Sequence, residues 1–118
     1  MNNDKEMRDC MDSQRVMVDR LDALEKRNGV ELNVNAFLDY DEYDNQFFVK
    51  VIGEIFGEML ETDLKLVFSI YNENGEIIGT EHTYVYSESF EGIDSFSQNV
   101  YAPKGENIAR VRVYPQKS

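Results

Sequence analysis

Four carboxylates fall within six residues, at Asp39, Asp41, Glu42 and Asp44, with Asn45 beside them. Oxygen donors at that density are what a hard divalent cation such as Ca²⁺ requires. The spacing departs from the EF-hand loop, because Tyr43 stands at the third ligand position and no Gly follows it. The competing reading is a solvated acidic turn between two strands. It is the favoured one, since acidic loops far outnumber ion sites.

His82 is the single histidine, so a Ser-His-Asp triad would have to use it, with Ser87, Ser89 or Ser95 as nucleophile. No Gly-x-Ser-x-Gly elbow is present to expose a strained serine. A mid-strand His between Glu81 and Thr83 fits a half-exposed sheet residue better than a catalytic base. Cys10 lies between Asp9 and Met11, with Asp12 close by. Neighbouring carboxylates disfavour a thiolate, so a packing role is expected rather than redox chemistry. Acidic pairs such as Glu54/Glu58/Glu61 and Glu88/Glu91 could be assigned to glycoside hydrolysis. Carboxylates are so frequent here that some pair always lies at a suitable distance. Phe90 and Phe96 flank Gly92, and they are expected to cap one end of a core rather than anchor a partner.

The totals narrow the field further. The 118 residues carry 12 basic and 23 acidic side chains, for a net charge of −11. Nucleic acid is an unsuitable partner for such a chain, because binding it depends on Lys and Arg neutralising phosphates. One Cys excludes an internal disulfide and is compatible with a reducing cytoplasm. With one Cys and one His, a structural zinc site is excluded, and no cofactor is expected. No apolar run exceeds three residues, far below the ~20 needed for a spanning helix, so membrane insertion is not expected. A hydrophobic fraction of 42% is nevertheless enough for a folded core.

Two periodicities organise the chain. Met7, Cys10, Gln14, Met17, Leu21 and Leu24 recur at spacings of three and four. They predict a helix over residues 1–28 with a narrow apolar stripe, ended by Asn28-Gly29. From Val30 the period becomes two. Strands are expected at 30–40, 46–56, 63–72, 76–86, 93–101 and 108–114, with a tight hairpin at Glu73-Asn74-Gly75. Gly79 is expected to mark a bulge or a sheet switch. Six strands, or seven if Gly79 divides the fifth, suit an antiparallel β-sandwich over residues 30–116. The sandwich holds nearly all the charge: residues 29–118 carry −10 and residues 1–28 carry −1.

Phe68-Ser69-Ile70-Tyr71-Asn72 followed by Gly75, with Val51-Ile52-Gly53-Glu54-Ile55 upstream, resembles the FxLYD domain, a bacterial immunoglobulin-like module. Ile77-Ile78-Gly79-Thr80 and Gly92-Ile93-Asp94-Ser95-Phe96 resemble its later strands. The resemblance covers about residues 46–114. Ile70 and Asn72 replace the hallmark Leu and Asp, Gly57 stands near the usual Asn, and Glu91 replaces the usual Pro. It implies an immunoglobulin-like β-sandwich and no catalytic residues.

An apolar stripe on a helix must be covered. Met7, Cys10, Met17, Leu21 and Leu24 are therefore expected to form an interface, either with the sandwich or with a second copy in a homodimer. The expected function is non-catalytic protein binding or assembly, through this stripe or through a sheet edge that accepts another strand.

Overall fold

The computed structural model describes residues 14–118. Seven strands and one short helix follow in the order β1 (Met17–Arg20), α1 (Asp22–Arg27), β2 (Val30–Asp41), β3 (Gln46–Gly57), β4 (Leu64–Tyr71), β5 (Ile77–Val85), β6 (Ile93–Tyr101) and β7 (Arg110–Lys117). They form a four-stranded sheet, β1-β7-β4-β5, and a three-stranded sheet, β2-β3-β6. The connections β3–β4, β5–β6 and β6–β7 all cross between the sheets. Except for β1 alongside β7, neighbouring strands are antiparallel.

The core lies between the two sheets, and alternation along each strand supplies it. Leu32 and Ala36 from β2, Val49, Val51 and Ile55 from β3, and Leu64, Leu66, Phe68 and Ile70 from β4 are buried, together with Val111 and Val113 from β7. β3 is the central strand of its sheet, as its apolar content on both faces predicts.

Gly53 in β3 shares the inward parity of Val51 and Ile55, and it pairs with Phe96 of β6. Its missing side chain leaves room for the Phe96 ring, which packs at 5.7 Å against Phe68 from the facing sheet. A Cβ at Gly53 would lie 2.7 Å from Phe96 Cζ and closer still to the Asn33 carbonyl oxygen. At the other end of β4, Asn72 is buried and folds the hairpin. Its Oδ1 accepts from the amides of Asn74 and Glu76, both at 3.0 Å. Its Nδ2 donates to Glu76 Oε1 at 2.9 Å, and Gly75 then takes φ +79°. The irregularity expected at Gly79 is a register shift: Ile70 pairs with Gly79 but Tyr71 with Ile77, leaving Ile78 as the extra residue.

The helix expected over residues 1–28 is corrected within the described part. Arg15 bridges Phe37, Met17–Arg20 is a strand, and helix among the described residues is confined to Asp22–Arg27, where Asn28 and Gly29 (φ +70°) end it as expected. The seventh strand is thus β1, not a divided fifth strand. The cause is tertiary pairing. Val16 N donates to Ala36 O at 3.0 Å and Leu38 N to Gln14 O at 2.7 Å, so residues 14–16 lie on the open edge of β2. The chain then shifts to the edge of β7, with Val18 opposite Val111 and packed on the core. β-Branched Val16 and Val18 suit this path, and their burial outweighs helix propensity.

α1 completes the closure of that side. Glu25 is 3% exposed; its Oε1 accepts the Leu32 amide at 3.2 Å and its Oε2 accepts Arg20 Nε at 3.1 Å. Burial disfavours the Arg20 charge, but Glu25 and Asp22 outweigh it and raise the guanidinium above its ordinary pKa.

Replacing Gly53 with Ala is expected to destabilise the fold by about 2 kcal/mol, because backbone and ring must both shift. Chemical denaturation measures this, and an unchanged midpoint would refute the packing role. Glu25→Ala should cost about 2 kcal/mol by leaving the buried Leu32 amide without its acceptor. The isosteric Glu25→Gln, which keeps an acceptor oxygen, should cost less in the same measurement.

Candidate functional site

The outward face of the four-stranded sheet gathers residues that the sequence analysis did not single out. Alternation on β7 turns Val111, Val113 and Pro115 inward, and so turns Arg110, Arg112 and Tyr114 outward. The register sets Arg110 beside Tyr71, Arg112 beside Ser69, and Tyr114 beside Val67 on β4. β5 continues these rows, with Thr80 beside Ser69, His82 beside Val67, and Tyr84 beside Lys65. β1 brings Asp19 beside Arg112.

One carboxylate oxygen holds both guanidinium groups. Asp19 Oδ2 accepts from Arg110 Nη1 at 3.2 Å and from Arg112 Nε at 2.9 Å. Both guanidiniums also lie over the Tyr71 ring, with Cζ at 4.0 and 5.2 Å from its centroid. They cover the ring so well that Tyr71, although outward-facing, is only 6% exposed. The hydrogen bond to Asp19 holds Arg112 above its ordinary pKa, with Tyr71 and Tyr114 adding to the effect. The contacts with Tyr71 and Asp19 restrain both guanidiniums, which pre-organises them for hydrogen bonding.

Beside this cluster runs an aromatic row along β5. His82 meets Tyr84 edge-on at 5.3 Å, and Tyr84 stacks on Tyr86 at 6.0 Å. Tyr84 and Tyr86 are exposed. The end of the row is anchored by Asp63 Oδ1, which accepts from Ser87 N at 2.8 Å and Ser87 Oγ at 2.9 Å. Those two bonds, the backbone one first, lower the Asp63 pKa.

Apart from His82 and Ser87, the residues singled out from sequence lie elsewhere. Asp39, Asp41, Glu42 and Asp44 are at the β2–β3 turn, where Asp41 Oδ1 accepts from Tyr43 N at 2.9 Å and Asp44 N at 3.3 Å. Asp39 Oδ1 accepts from Tyr40 N at 2.8 Å, and Asn45 has φ +53°. These carboxylates shape the turn, and among the described residues no three Asp, Glu, His or Cys side chains converge as a metal site.

His82 has no hydrogen-bonded Ser or Asp among the described residues, and the Ser87 hydroxyl is committed to Asp63. Met7 and Cys10 of the expected interface stripe lie outside the described residues. Met17 stands on β1 and is 70% exposed, while Leu21 and Leu24 are half-buried around α1. The three do not form one helical stripe, because a strand separates Met17 from the helix. Phe90 and Phe96 are half-buried and pack on the core, as expected of residues that close one end.

No helix among the described residues is long and apolar enough to cross a membrane. Comparison with known proteins gives no match to any family model, curated protein or solved structure.

Because the folded-state pKa of Asp63 is depressed, its bonds to Ser87 contribute stability above the unfolded-state value of about 3.9. That contribution is lost as the pH falls through the lower folded-state value. Ser87→Ala should move the Asp63 titration upward and reduce the acid resistance of the fold. Carboxyl NMR titration reads the first and a melting series from neutral to acid pH the second.

Proposed function

We propose that the chain is an immunoglobulin-like sandwich of the FxLYD type that acts as a non-catalytic protein-binding or assembly module. Three arguments support the fold assignment. Adjacent β3 and β6 in one sheet are followed by adjacent β4 and β7 in the other, the crossing pattern of Greek-key sandwiches. Gly53, Phe68 and Phe96, which carry the sequence resemblance, meet in one cluster of the core. Asn72 shapes the hairpin that the hallmark motif leads into.

The functional reading rests on one observation, the outward face of the four-stranded sheet. Tyr84, Tyr114, His82, Arg110 and Arg112 lie there on regular strands, with Tyr86 just beyond the end of β5. Tyr and Arg are the residues that carry most energy at protein interfaces, because each offers a large contact area with a polar end. Rigid strands hold such residues at little entropic cost on binding.

A photo-crosslinking amino acid at position 84 or 86, in cells that naturally make the protein, tests this reading. Discrete protein adducts are expected there, and not from position 52 on the outward face of the other sheet. Equal labelling at all three positions, or none at any, would remove the assignment of this face.

A further inference from the structure

The partner's chemistry follows from how charge is distributed over the two outward faces. On the four-stranded sheet, the outward rows contain Lys65, Arg110 and Arg112 against Asp19 alone, a net of +2. On the three-stranded sheet they contain Glu31, Asp39, Asp41 and Glu54 against Lys50, a net of −3. The first face is thus an island of positive charge on a chain of net charge −11.

The island also keeps donors that the protein itself does not use. Each guanidinium has five N–H donors. Among the described residues, Arg110 and Arg112 each make a single hydrogen bond, and both go to Asp19 Oδ2. The remaining donors belong to guanidiniums that lie over Tyr71 and are about one-third exposed, and Arg can bind a carboxylate through pairs of parallel hydrogen bonds. An incoming carboxylate would complete the charge balance that Asp19 leaves open.

Resting on the protein-binding reading above, the geometry points to an acidic protein segment as the ligand of this face. Its carboxylates bind Arg112 and Arg110, and its neighbouring side chains lie along Tyr114, His82, Tyr84 and Tyr86. A polyphosphate suits the face poorly, because three basic residues neutralise few phosphates and the rest of the chain repels them. A sugar platform suits it poorly too, since Tyr84 and Tyr86 spend one ring face on each other.

Fluorescence anisotropy with the full chain tests this, using a fluorescein-labelled Glu/Asp-rich peptide and its Gln/Asn counterpart at about 50 mM salt. The acidic peptide should bind, the neutral one should not, and affinity should fall as salt rises. Arg112→Gln should weaken binding about tenfold or more. Because that variant also uncovers Tyr71, the exposed-site double variant Tyr84→Ser/Tyr86→Ser provides a second reading and should weaken binding at an unchanged melting temperature. Lys50→Gln on the opposite face should not weaken it.

Equal binding of both peptides, no binding up to about 1 mM, or insensitivity to every variant of the face would each overturn the inference. So would binding of a heparin fragment without the acidic peptide. Self-association abolished by Arg112→Gln in peptide-free sedimentation would assign the face to a second copy and overturn it as well. If crosslinks at position 84 persist while the acidic peptide fails, the protein-binding reading stands and only the partner's acidity is lost.

Discussion

The open N–H groups along one side of the sandwich determine where the N-terminal segment must lie. Without residues 14–20, β2 and β7 would both end their sheets on that side, and unpaired backbone groups at a sheet edge invite pairing with another chain. Residues 14–16 take the edge of β2, the Glu25 carboxylate takes the Leu32 amide further along, and β1 takes the edge of β7. Closing the side this way carries Val16 and Val18 into the core. It also sets Asp19 between two arginines on the outer surface. The charged cluster of the candidate binding face is therefore a product of edge closure, and its geometry depends on the seating of β1.

The interior obeys a second constraint, the room for one aromatic ring. Phe96 reaches across to Phe68 because β3 has no side chain at Gly53. The two sheets are thereby keyed at a point where register slip would be costly, since any other residue at position 53 would meet the Asn33 backbone. The inner face fixes register while the outer rows on β4, β5 and β7 stay aligned, so rigidity in the core becomes order on the surface.

Legibility in the sequence followed the range of the interactions. β2 to β6 could be read from alternation, and the hairpin from Asn74-Gly75, because both depend on near neighbours. Residues 14–20 could not, since Met17, Leu21 and Leu24 fit a helical stripe while Val16 and Val18 fit a strand. Pairing with β7, which lies at the far end of the chain, decides between them. The acidic turn was visible as a cluster, but only coordinates show Asp41 spent on backbone amides. Arg110-x-Arg112-x-Tyr114 and Tyr84-x-Tyr86 were open signals of one-sided strands, and outward alternation alone could have marked them. Asp19 was not readable as their partner, because it acts across 91 and 93 residues.

The parallel contact of β1 with β7 has a consequence for the order of events during synthesis. β1 leaves the ribosome before β7, the strand it needs, and the five strands β2 to β6 are made between them. Until then the edge of β2 has only its local cover and the two arginines do not exist. Loop closure over so long a span is slow compared with hairpin formation. The charged face is therefore completed together with the part of the core that β7 supplies through Val111 and Val113, and a chain truncated within β7 has neither the seal nor the surface.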